Sequence, residues 1–200
     1  MTGRLFLLSV VVLGFLVIRD WDSSPVEHPP GILVAERPLQ VDLQPSTFML
    51  EDYQLTRKAS FEIRARVLSK EPYYLNRTAD LAPIDLALGW GEMSDSAVLK
   101  QIDISQSGRW YRTKYDLPPP ISEQQIVFNS SNMHMIPARK DIERSLKELR
   151  EGDIVFIRGY LVDVDHDSGW NWRSSMSRLD TGDGACELVY VESLSVENPG

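Results

Sequence analysis

The residues able to do chemistry in this chain fall into three small groups. The first is acidic. Asp180-Thr181-Gly182 matches the triplet in which an aspartic protease carries a carboxylate. That chemistry needs two carboxylates sharing a proton, and the chain has a single copy, with Asp183 where a small apolar residue is usual. The triplet therefore reads first as a turn before a last strand. An acid–base hydrolase would draw on Asp180, Asp183, His134 and Asp85. The second group is Asp163, Asp165 and Asp167, alternating as in a calcium loop. An EF-hand loop needs glycine at its sixth position and glutamate at its twelfth. Ser168 and Ser174 stand there, so a charged hairpin tip is the first reading and a weak calcium site the second.

The third group is aromatic and cationic. Trp110 lies between Arg109 and Tyr111-Arg112, and Trp170 and Trp172 precede Arg173. Flat rings beside guanidinium groups stack on sugars, bases or peptides if the two segments meet. Trp110, Arg112, Trp170, Trp172 and Arg173 are the expected ligand-binding residues. The alternative is that these rings cap the ends of the core.

Several chemistries find no support. The chain has one cysteine, Cys186, and three histidines without two-His helical spacing, so no zinc motif is present. His134 stands between Met133 and Met135. Alternation puts the methionines in the core and His134 at the surface, a better reading than a Cu(I) site. No P-loop, dinucleotide fingerprint or marked nucleophilic serine occurs. No cofactor is expected. Acids outnumber bases 29 to 21, a formal charge of -8. That disfavours nucleic acid, whose binding rests on neutralising phosphates.

The elements that must position these residues are mostly strands. Phe61, Ile63, Ala65 and Val67 alternate with Glu62, Arg64 and Arg66, the period of a half-buried strand. Phe48–Lys58 reads as a short helix or irregular lead-in, and Leu75–Pro83 as loop. Val98–Ser105 and Arg109–Tyr115 read as a hairpin turning at Gly108, and Ile126–Phe128 as a further strand. One helix is expected over about 138–150, from Ile142, Leu146 and Leu149 on one stripe, with Gly152 beyond its end. Ile154–Ile157 opens a central strand in which Gly159 marks a bulge. The last strand spans Glu187–Val196. One helix between the third and fourth principal strands is the layout of an OB-like antiparallel β-barrel. Another antiparallel barrel or sandwich, or an α+β sheet, would fit the same pattern.

The amino-terminal end sets the expected location. Leu5–Ile18 carries no charge, with Arg4 before it and Arg19, Asp20 and Asp22 after it. As a helix, Met1–Trp21 would rise about 31 Å, close to the ~30 Å of a hydrocarbon core. The residues after the run are large and charged, unlike a signal-peptidase site. The expectation is a membrane anchor or signal segment over 1–21, with an uncleaved anchor the first reading and a cleaved signal the alternative, then a proline-rich tether over 22–46 and one β-rich domain over 47–197. By the positive-inside rule the chain is single-pass in the inner membrane, N-terminus inside, body in the periplasm or outside the cell. The expected function is non-catalytic binding of a protein or glycan partner.

Three stretches, Asp85-Leu86-Ala87-Leu88-Gly89-Trp90-Gly91, Ser131-Asn132-Met133-His134-Met135-Ile136-Pro137-Ala138 and Ser177-Arg178-Leu179-Asp180-Thr181-Gly182, resemble those of uncharacterised bacterial single-anchor envelope proteins. The resemblance covers most of the body and implies an envelope location, with no activity attached.

Overall fold

A computed structural model of the chain describes residues 24–75, 77–177 and 186–197. The protein is mainly β. Seven strands form one sheet, and two more form a separate hairpin. The sheet begins with β1 (Leu39–Leu50) and β2 (Tyr53–Pro72), an antiparallel hairpin turning at Glu51-Asp52. Thus 39–46 belongs to a strand and not to a tether, and 48–58 is strand and not helix. Proline is tolerated there because β1 is an edge strand, and Pro45 falls in the register shift between Asp42 and Ser46.

After helix α1 (Arg77–Leu81), β3 (Ile84–Gly89) returns antiparallel to the end of β2. Helix α2 (Ser96–Leu99) follows, with Asp95 accepting a hydrogen bond from the Ala97 backbone as its N-cap. The sequence expectation of strand at Val98 fails for that reason. The hairpin β4 (Ile102–Ser107) and β5 (Trp110–Tyr115) turns at Gly108-Arg109. The expected strand at Ile126–Phe128 is instead helix α3 (Glu123–Phe128), started by a capping box in which Ser122 and Gln125 bond each other's backbone.

β6 (Ser130–Pro137) pairs antiparallel with β3, and β9 (Glu187–Glu197) runs parallel to β6. Between β6 and β7 (Ile154–His166) lies helix α4 (Lys140–Glu148), which buries Ile142 and Leu146. Pro137 closes β6 rather than opening the helix. β7 pairs with β9, with the two-residue β8 (Asn171–Trp172) and along 13 positions with β2. β2 thus has β3 on one side and β7 on the other. The shared interior holds Phe61, Ile63, Leu86, Met133, Met135, Ile157 and Val189, alternate residues of each strand.

Residues 26–34 lie on the body. The Val26 amide donates to the Glu151 carbonyl (2.7 Å), a His28 ring nitrogen bonds the Gly152 carbonyl (2.8 Å), and Val34 is fully buried with its amide on Ser94 Oγ (3.0 Å). Leu33 packs beside Val34 against the core, and neither residue is in a strand. Among the described residues no helix is long and apolar enough to cross a membrane. The expected anchor over 1–21 lies outside the described residues.

Candidate functional site

Alternation on β3 and β6 sends Leu86 and Met135 inward and turns Asp85, Asn132 and His134 to the opposite face. Asp85 and His134 are direct cross-strand partners. The His134 Nδ1 stands 2.8 Å from the Asp85 Oδ1, off the line of a hydrogen bond. Both side chains are buried, Asp85 completely and His134 to 4 % exposure. The surface histidine expected from alternation is therefore wrong: the face it occupies is covered by other elements.

The cover is the β4–β5 hairpin. Gly108 and Arg109 both have positive φ, 59° and 74°, the conformation a two-residue turn of this hand requires. Glycine or asparagine is usual at the second place; here it is arginine. Its side chain explains the exception. Arg109 Nη1 donates to Asp85 Oδ1 (2.5 Å), and Nη2 donates to the carbonyls of Thr78 (3.0 Å) and Ala82 (2.9 Å). The guanidinium lies 3.8 Å over the Tyr73 ring and 5.3 Å from the Trp172 ring, and the Arg109 amide donates to the Tyr73 hydroxyl at 2.9 Å. These contacts outweigh the ~1–2 kcal/mol that a left-handed conformation costs a side-chain-bearing residue.

Asn132 adds a second tie. It accepts from Gln106 Nε2 (2.6 Å) and donates to the Arg109 carbonyl (3.2 Å) and to Cys186 Sγ (3.8 Å). Burial, and then the Asp85 charge, push the Tyr73 hydroxyl up to about 12. Burial pushes the Cys186 thiol up to about 11, against the opposing hydrogen bond from Asn132. Neither group is a nucleophile near neutral pH. Three polar atoms of the cluster are buried without a hydrogen-bond partner among the described residues: Asp85 Oδ2, His134 Nδ1 and Gln106 Oε1.

The aromatic residues singled out from the sequence meet this cluster unequally. Trp172 packs on His134, ring centroids 4.7 Å apart, and Trp170 stands edge-on to Trp172 at 6.1 Å. Trp110 sits at the hairpin end and is 43 % exposed. Arg112 is exposed on β5 opposite Ser105. What joins the two tryptophan segments is Arg109, read from the sequence as the first residue of a strand beside Trp110 and not among the expected ligand-binding residues, together with Tyr73. Arg173 turns away: its Nη2 donates to Asp165 (2.5 Å) and its Nη1 to the Val164 carbonyl (2.7 Å).

The three alternating acids are dispersed. Asp163 takes Lys58 (3.4 Å) and the Ser174 amide (3.1 Å), Asp165 takes Arg173, and Asp167 is exposed at the turn after β7. β7 continues to His166, so Asp163 and Asp165 are strand residues and not loop ligands. Among the described residues no group of three or more histidines, cysteines and acids could hold a metal ion. Asp180 and Asp183 lie outside the described residues.

No family model, no curated protein and no solved structure matches the chain.

Proposed function

We propose that the chain is a membrane-tethered, non-catalytic binding domain acting outside the cytoplasm, with a glycan or protein of the cell envelope as its ligand. In this reading β2, β3, β6, β7 and β9 are strands one to five of an OB-like barrel. Support comes from the pairing order, in which β2 meets both β3 and β7, β6 runs parallel to β9, and α4 lies between the third and fourth strands. OB-type barrels take oligosaccharides and oligonucleotides on the face of strands two and three, between the loop joining one to two and the loop joining four to five.

One observation carries the reading. Tyr73 from the first of those loops, Trp170 and Trp172 from the second, and Arg109 from the inserted hairpin gather over Asp85, Asn132 and His134 on β3 and β6. Rings with polar groups between them suit a sugar polymer, whose hydroxyls need hydrogen bonds and whose C–H faces stack on aromatics. A charge of -8 opposes a polyanion and so disfavours the nucleic-acid alternative.

The test is titration of the chain with soluble cell-wall oligosaccharides, followed by tryptophan fluorescence. A saturable change that W110A/W172A abolishes, with the fold intact by circular dichroism, is the expected result. No change, or the same change in the double variant, refutes the reading. A second reading, hydrolysis of an envelope polymer by the Asp85–His134 pair, draws on their 2.8 Å approach. It requires that H134Q destroy turnover of a polymer that the unaltered chain cleaves. Their burial beneath Arg109 and Trp172 favours the binding reading.

A further inference from the structure

On the same face of the sheet, toward β1, stands a cation of a different kind. Arg57 lies in β2 opposite Val162 of β7 and Ser46 of β1, at the register shift between Arg57 and Ala59. Its guanidinium is held between two rings, 4.4 Å from the centroid of Phe48 and 4.8 Å from that of Tyr160. The Phe48 ring in turn packs edge-on against Tyr190, at 4.9 Å. The other half-buried arginines are matched. Arg64 has Glu197, Arg66 has Ser94 and Ser96, Arg109 has Asp85, and Arg150 has Asp153. Among the described residues no hydrogen bond or ion pair reaches Arg57, and its Nε is buried without a partner.

Two stacked rings fix a guanidinium by its faces; with Nε buried, the edge left open is the one that carries the two Nη groups. That edge presents two parallel N–H groups, the arrangement that a carboxylate receives with both oxygens. The buried, unpaired Nε–H adds to the need for an anion at this guanidinium. Arg139 lies close enough to act, with Arg57, on the Tyr190 hydroxyl, which adds positive potential; Glu192 is the opposing charge nearby. Arg139 itself is already held by Asp141 and the Glu192 carbonyl, which leaves Arg57 as the open donor.

We infer that Arg57, framed by Phe48 and Tyr160, is a binding site for the carboxylate of an extended peptide. A peptide is favoured because β1, which carries Phe48, is the terminal strand of the sheet and, among the described residues, pairs only with β2. A strand edge of this kind offers unpaired backbone groups one strand spacing from the ring. The site shares an apolar cluster with Trp170 and Trp172 but uses neither of them, and it does not rest on the function proposed for the residues over β3 and β6.

The experiment is nuclear magnetic resonance on the full-length, 15N-labelled chain in detergent. It reads the Arg57 Nε–H signal, assigned by its absence in R57Q. The probe is an N-acetylated tetrapeptide with a free C-terminal carboxylate; the control is the same peptide as its C-terminal amide. The expected result is a saturable shift of the Arg57 signal with the acid, at least tenfold weaker with the amide, while the Arg109 signal stays in place. Because the readout is on the unaltered chain, misfolding of a variant does not blur it. No shift with the acid, an equal shift with the amide, or a shift with glucuronate but not with the peptide would each overturn the inference.

Discussion

At the scale of single residues, Arg109 is the most consequential side chain. It accepts a backbone conformation that favours glycine, and in return neutralises a carboxylate with no exposure to solvent. The two effects oppose each other in R109G. The glycine relieves the turn, worth ~1–2 kcal/mol. It also leaves Asp85 buried beside His134 with no permanent cation, and breaking a buried pair costs about 3–5 kcal/mol. The second effect is larger, so R109G should lower stability by roughly 1–4 kcal/mol, the difference of those ranges. Urea unfolding measures it; an unchanged midpoint would show that the Asp85 contact contributes no more than the turn relief offsets. Asp85 and His134 were visible in the sequence as candidate acid and base, but their pairing was not. It depends on the register of β3 against β6, which lies 49 residues away in the sequence (134 less 85). Arg109 was visible in the sequence only as a cation beside Trp110; its role was not, because it comes from a turn conformation and from partners at positions 73, 78, 82, 85 and 172.

At the scale of elements, Gly159 shows what a close approach between strands demands. A Cβ at that position would stand 1.8 Å from the Tyr190 carbonyl oxygen, at the register shift where β7 crosses β9. No side-chain rotation relieves a contact with backbone, so G159A must move one strand relative to the other. A loss of at least about 2 kcal/mol is expected, toward the upper part of the range for overpacked sites. Thermal unfolding would report it; a stable G159A would mean that β7 and β9 are not joined in this register. The bulge at Gly159, the α4 stripe and the final strand were legible because each rests on a local signal: a lone glycine in an apolar run, a 3.6 period, or alternation. Three short helices were not. α2 and α3 are four and six residues long, too short for a period to emerge, and their signals were the caps Asp95 and Ser122 rather than any hydrophobic pattern. β1 was misread because Pro45 within it and Pro38 just before it argued against a strand, and its edge position admits Pro45.

At the scale of the whole molecule, the body is fastened by its leading segment. Gly152, at φ +89°, leaves no room for a Cβ, which would stand 2.0 Å from the Val26 carbonyl oxygen. The chain from Val26 to Val34 is therefore held at its two ends, at the turn after α4 and at the 3-10 turn Gly91–Ser94. If residues 1–21 form the proposed anchor, only four residues separate Trp21 from this fastening, and four extended residues span at most about 14 Å. The domain would then be held near the bilayer in a defined orientation, with Trp110 on its own exposed hairpin. Single-cysteine labelling in living cells tests location and exposure together. In W110C/C186S, a membrane-impermeant maleimide should label position 110 in intact spheroplasts as completely as in lysed ones. The parent chain, whose Cys186 thiol is pushed up to about 11 by burial, serves as the slow-reacting comparison. Labelling of position 110 only after lysis would place the body on the cytoplasmic side and contradict the account.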